Sequence, residues 1–225
     1  MNIIQYTVAA SLAFSSLTHA ATIEWRAPQT ISDAMSDIET EGELVLAIDA
    51  GGEGGSVTGK NGIDVLFAGL KGNSSGSGTS LGDFSTRFGD VPDTRKHYGG
   101  TDSDYARIID LGLYTRERNV EGGPEAFREN TDAITFSNLV VGKKYLVQYW
   151  AQDAKRLPSW ITVVDGKVSL KLDVSSSPDV NYGQFVVGVF IADDTKQSIG
   201  VSGMKGEQYD LGRCQVNAIQ LRMID

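Results

Sequence analysis

The stretch ITVVDGKVSLKLDV, residues 161–174, sets the fold class. Val168, Leu170, Leu172 and Val174 alternate with Lys167, Ser169, Lys171 and Asp173. A period of two puts one face of an extended chain against a core and the other in water. Before it, residues 161–164 form a short β-branched run, and Asp165-Gly166 between the two is a two-residue hairpin signal. The expectation is an antiparallel hairpin.

Outward from this hairpin the chain keeps the same grammar. Residues 43–48 (ELVLAI), 63–67 (IDVLF), 133–136, 144–151, 184–192, 198–201 and 215–224 read as further strands, separated by glycine, asparagine and aspartate turns. Residues 184–192 are apolar on both faces, as a central strand requires. In the last strand Cys214 and Val216 stand in opposite phase to Ile219, Leu221 and Met223, which predicts a bulge near Asn217-Ala218. Leu139, Gly142 and Tyr145 have the spacing of a tyrosine corner, in which the phenol bonds back to main chain between two strands of a Greek-key sandwich. One short helix is expected over residues 104–113, capped by Ser103 or Asp104, with a further helical turn over 125–129. Residues 69–100 open with GLKGNSSGSGTSLG and read as a long Gly/Ser-rich insertion loop. The fold class is therefore all-β: an antiparallel β-sandwich with one short helix and that loop.

Domain organisation follows from the leader. Residues 1–20 contain no Lys, Arg, Asp or Glu, carry an apolar run from about 6 to 17, and end Thr18-His19-Ala20. Small residues at Thr18 and Ala20 suit signal peptidase, and the run is shorter than the roughly 20 residues a membrane span needs. A signal peptide cleaved before Ala21 is expected, leaving one domain over 21–225. No later segment is apolar enough to span a membrane, and no anchor tail follows the final strand-like stretch. The expected location is outside the cytoplasm, extracellular or periplasmic, with release rather than tethering.

Composition narrows the partners. A net charge of −9 disfavours nucleic acid, whose phosphates are held by Lys/Arg patches, and disfavours anionic membranes as well. It leaves neutral polymers and divalent cations. Cys214 is the only cysteine, so no internal disulfide forms; it reads as a small buried hydrophobe. His97 is the only histidine outside the leader, which removes every two-histidine zinc site. Residues 72–76 (GNSSG) match the nucleophile-elbow pattern by composition, but no helix follows as that chemistry requires. With 29 acidic residues, paired carboxylates for glycoside cleavage are unavoidable and carry no signal. The sequence points away from catalysis.

The strongest binding candidate is residues 150–160 (WAQDAKRLPSW), where a strand runs into a polar loop. A Trp160 ring could stack on the apolar face of a sugar, with Asp153 and Arg156 bonding its hydroxyls. Tyr182, in an Asn-Tyr-Gly turn, could join them. The competing reading makes Trp150 and Trp160 core rings and residues 153–156 a structural ion pair. Trp25 reads as a core anchor. For a cation, calcium above all, the candidate ligands are Asp193 and Asp194 in a turn after a strand, and the Asp102/Asp104 pair.

The order I-x-W at 23–25, G-x-L-V-x-A at 42–47, N-G-I-D-V-x-F at 61–67, L-x-x-G-x-x-Y-x-V-Q-x-W-x-x-D at 139–153, G-Q-F-V-V-G-x-F-x-A-D at 183–193 and N-A-I-Q-L-R at 217–222 resembles a group of secreted bacterial β-sandwich domains of about 200 residues. Those domains are similar to galactose-binding-like jelly rolls, the fold of many carbohydrate-binding modules. The resemblance is weak between about 69 and 130 and carries over no catalytic or binding residue. It implies a non-catalytic extracellular glycan-binding protein, with the ligand held by loops at one end of the sandwich. A structural or adhesive matrix protein is the alternative, and a polysaccharide-degrading enzyme a third.

Overall fold

The computed structural model describes residues 21–72, 78–86, 102–114, 134–153, 160–174, 182–205, 208–209 and 215–225. In chain order the elements are β1 (Glu24–Trp25), β2 (Gln29–Thr30), α1 (Ala34–Asp37), β3 (Glu43–Ala50), β4 (Gly54–Thr58), β5 (Asp64–Leu70), β6 (Thr79–Leu81), β7 (Phe84–Thr86), α2 (Ser103–Ile109), β8 (Leu113–Tyr114), β9 (Ile134–Phe136) and β10 (Lys144–Ala151). They continue with β11 (Trp160–Val164), β12 (Val168–Lys171), β13 (Gln184–Ile191), β14 (Gln197–Ile199), β15 (Val201–Lys205), β16 (Gln208–Tyr209), β17 (Gln215–Val216) and β18 (Ala218–Met223).

An eight-stranded sheet forms the middle of the molecule, in the order β1-β13-β10-β18-β3-β5-β4, with β2 also on β13. All its pairs are antiparallel except β3 with β5. Two four-stranded sheets, β12-β11-β15-β16 and β14-β9-β7-β6, face it. Strand β10 shows how the middle of the sheet is buried on both sides. Its Tyr145, Val147, Tyr149 and Ala151 enter one core, with Phe84, Phe136, Val164, Leu170 and Ile199 of the facing sheets. Its Leu146 and Trp150 enter a second core, with Ile31, Ala34 and Ile38 around α1 and Tyr105, Ile108 and Ile109 of α2. The fold is thus an all-β sandwich with helices laid on the outer face of its large sheet.

The hairpin over 161–174 forms as its pattern predicts. Asp165 and Gly166 have φ of 51° and 61°, the left-handed pair of a tight turn closed by the Lys167 N–H on the Val164 carbonyl, but Val164 pairs with Val168, so the loop holds three residues rather than two. The tyrosine corner forms as well, since the Val140 N–H donates to the Tyr145 hydroxyl at 2.9 Å.

Several expectations are corrected. The helix occupies Ser103–Ile109, and its cap is Asp102, whose carboxylate accepts from the Asp104 and Tyr105 amides. A second helix, α1, is present, capped by Asp33. The loop over 69–100 begins inside β5 and contains the β6–β7 hairpin, because Leu81 and Phe84 pair across a Gly82-Asp83 turn and Phe84 packs on Phe136. Strand 198–201 divides at Gly200: β14 joins β9, while β15 joins β11. Asp165 holds that corner, accepting the Gly200 N–H at 2.7 Å. At Asn217 the last strand breaks rather than bulges, and passes from β8 to the large sheet. The bulge lies on β3 instead, where Val45 is the extra residue between Leu44, opposite Arg222, and Leu46, opposite Leu221. The leader, His97, Cys214, residues 73–76 of the GNSSG match and residues 125–129 lie outside the described residues.

Candidate functional site

Four segments meet at one end of the central strands. Ala151 pairs with Gln184, and continuing that register sets Asp153 opposite Tyr182. Between them runs the chain just after β12: the Asp153 N–H donates to the Leu172 carbonyl at 3.1 Å, and the Val174 N–H to the Tyr182 carbonyl at 2.9 Å. Ile161 pairs with Lys171, so the next step of the ladder sets Trp160 opposite Leu172. Main-chain bonds therefore gather Asp153, Trp160 and Tyr182 around residues 172–174. Asp153 is half-buried, and Tyr182 is half-buried against the second core. The Trp160 side chain and the whole of Arg156 lie outside the described residues. Gly183 is required here: a Cβ would lie 2.2 Å from the Ala151 carbonyl oxygen and 2.3 Å from the Gln152 Cβ.

Beneath this end lies a buried amide knot. The Gln152 N–H donates to Asn217 Oδ1 at 2.8 Å, and Gln152 Nε2 donates to the Ile109 carbonyl at 2.6 Å. Asn217 Nδ2 donates to the Ile109 and Leu111 carbonyls, both at 2.9 Å. Gln215 Nε2 donates to the Gln152 carbonyl at 2.6 Å. Oε1 of Gln152 and Oε1 of Gln215 are buried with no hydrogen-bond partner among the described residues. The knot ties the C-terminal end of α2 to β10, β17 and β18. Sequence reasoning passed over it because an amide has no charge and no motif of its own. The available signal was Gln152 and Asn217 standing within otherwise apolar strand sequence.

Trp150 is core rather than ligand-facing. It is fully buried, meets Phe67 edge-on with ring centroids 6.2 Å apart, and donates its indole N–H to the Tyr105 hydroxyl at 2.8 Å. That hydroxyl in turn donates to Asp37 Oδ2 at 2.9 Å. Burial raises the Asp37 carboxyl, against the hydrogen bonds from Ser32 and Tyr105. Trp25 packs against the first core, half-buried, and donates its indole N–H to Asp165 at 2.9 Å.

The acidic candidates fall on separate elements. Asp102 is spent as a helix cap, and Asp104 is exposed beside Arg107 at 3.5 Å. Asp193 and Asp194 follow β13, at the opposite end of the central strands from Asp153, and Asp194 Oδ1 accepts the Thr195 amide and hydroxyl. Among the described residues no three His, Cys, Asp or Glu side chains form a group that could hold a metal ion.

One carboxylate escaped the sequence reading. Asp49, next to last in β3, is fully buried on the side facing α2 and accepts the Gly54 N–H at 2.8 Å. Burial pushes its carboxyl up to about 7, opposed by the Gly54 amide and the Arg107 guanidinium. Its signal was an aspartate inside the apolar run ELVLAIDA, directly before Gly51-Gly52.

No family model matches the chain, and neither a curated protein nor a solved structure does.

Proposed function

We propose that this is an exported, non-catalytic carbohydrate-binding protein whose site lies at the end of the sandwich carrying Asp153, Trp160 and Tyr182. The observation that supports it is the convergence of these three positions, from separate strands, around residues 172–174. A carboxylate, a phenol and an indole form the set that a sugar's hydroxyl rim and apolar face call for. Beneath them the amides of Gln152, Gln215 and Asn217 tie the sheet end to the main chain of α2 and of Gln152, next to β10. Arg156, five residues beyond the end of β10, belongs to the same proposal, as does the galactose-binding-like jelly-roll resemblance. In this reading calcium is an accessory at Asp193, Asp194, Asp102 or Asp104, ordering loops rather than touching the glycan.

The test is a glycan panel probed with the exported protein, with and without a chelator. Retention of a neutral glycan that falls at least tenfold in Trp160→Ala supports the site. Unchanged affinity in that variant sinks the assignment. Loss of binding with chelator moves the site to the acidic loops.

A second reading, adhesion to other proteins, is favoured by one observation. Val140, Val141 and Ile191 are 54%, 57% and 60% exposed. They meet at the far end of the central strands, where the Gly142 N–H donates to the Ala192 carbonyl. Concentration-dependent self-association without glycan retention would favour that reading.

A further inference from the structure

The residue that would become the first of the exported chain already has a seat. Continuing the β1–β13 register sets Ala21 opposite Ala192, and Ala21 packs against the first core. Its carbonyl accepts from Gln197 Nε2 at 3.0 Å. Gln197 is only 2% exposed, and the same Nε2 also donates to the Ser198 carbonyl at 3.0 Å. Two main-chain acceptors thus hold the amide in one orientation, because turning it over would set oxygen against oxygen. The consequence is a buried Gln197 Oε1 with no hydrogen-bond partner among the described residues.

A buried acceptor of this kind is costly unless a donor is supplied. In a chain that continues through Ala20, the Ala21 nitrogen is an amide with one hydrogen. Peptide cleavage between Ala20 and Ala21 turns it into an ammonium with three. That nitrogen lies within about 3.6 Å of its own carbonyl oxygen by covalent geometry, and that oxygen is the one Gln197 already grips. We infer that Gln197 is a seat for the processed N-terminus: its Oε1 accepts from the α-ammonium of Ala21, so that removal of the leader completes the fold. The hydrolysis adds water across the Ala20–Ala21 bond, leaving a carboxylate on the leader and the ammonium on the domain. The inference rests on the export reading, and it concerns a structural role for the new terminus, separate from glycan binding.

The full chain is expressed with its leader and the exported product is taken for intact mass and N-terminal sequencing. A start at Ala21 is expected. Any other start, or no processing, overturns the export reading and with it the seat. The processed protein is then compared before and after selective acetylation of its α-amine, in the native chain and in Gln197→Met. Acetylation is expected to lower the melting temperature by about 2–4 °C in the native chain and to have no effect in Gln197→Met. Equal shifts in both, or none in either, overturn the seat while leaving processing intact. A second measurement guards against a poorly folded variant. An NMR titration of the ¹⁵N-labelled Ala21 amine, in the native chain and in Gln197→Glu, is expected to give a higher pKa beside the carboxylate. Identical titrations overturn the proposal.

Discussion

Asp165 is chosen by turn geometry and then used by the tertiary structure. Its φ of 51° suits aspartate before Gly166, and its carboxylate accepts from Trp25 and from Gly200, joining β1, the hairpin and the β14–β15 corner. Burial raises its carboxyl against those two bonds. The Trp150–Tyr105–Asp37 chain joins β10, α2 and α1 in the same way. Tyr105→Phe leaves the Trp150 indole N–H unpaired in a dry core, and should cost about 1–3 kcal/mol in urea unfolding. A loss below a few tenths would show that the chain contributes nothing. Asp49 makes a pH prediction. Its folded value of about 7 lies above the ordinary 3.8, so the folded state holds the proton more tightly than the unfolded chain. Its stabilising contribution is full below about pH 4 and is lost as pH rises through 7, by at most about 4 kcal/mol. Arg107 and Glu53 are the charges that act on it, with opposite signs. Asp37 and Asp165 are shifted in the same direction, so the measurement is a difference. Between pH 5 and pH 8.5 the native chain should lose more stability than Asp49→Asn, and equal losses would refute the assignment.

Elements are held to one another by side chains gripping main chain. Gln148 and Gln220 take the Asp37 and Glu39 carbonyls, and Arg222 takes those of Glu41 and Gly42. The segment between α1 and β3 is thereby fastened across the large sheet. Burial lowers the pKa of Arg222, with the Glu39 carboxylate opposing that shift. The tyrosine corner does the same between β9 and β10. Tyr145→Phe should cost about 1 kcal/mol by loss of the Val140 bond while the ring stays stacked on Phe190, 5.5 Å away. Urea unfolding would measure it, and an unchanged midpoint would show that the corner is held by packing. Continuous apolar runs made β10 and β13 legible at nearly their observed bounds, and two-residue alternation made β12 legible, though it ends at Lys171 rather than Val174. Elements of two to four residues, such as β1, β2, α1 and β8, are too short to show a period, and their partners hold them.

At the scale of the molecule, burial of the middle of the large sheet on both faces explains why β10, β13 and β18 carry few exposed residues, while β5 toward its edge and the β12 edge strand alternate. The same architecture separates the two ends of β10 and β13: Asp153, Trp160 and Tyr182 lie at one, and Asp193, Asp194 and the exposed valines at the other. Binding and stability should therefore separate. Asp153→Ala is expected to lower glycan retention at least tenfold while shifting the unfolding midpoint little, because its main-chain bond to Leu172 survives the substitution. Val141→Ser, at the other end, should leave glycan retention unchanged. Equal effects of the two on retention would remove the case for a site at the Asp153 end.

By itself the sequence determined the strand-rich class, the Asp165-Gly166 hairpin, the corner at Tyr145 and the central placement of residues 184–192. These follow from side-chain periodicity and turn stereochemistry, which act between residues close in the chain. It also carried Asp153, Arg156 and Trp160 as one candidate segment, with Tyr182 as a residue that could join it. Only the tertiary structure decided which main-chain bonds bring Tyr182 to Asp153 around residues 172–174, that Trp150 is core, that Asp102 is a cap, and that residues 198–201 bend between two sheets. Those outcomes depend on which strand pairs with which and on where a polar group finds its partner, sometimes more than a hundred residues away.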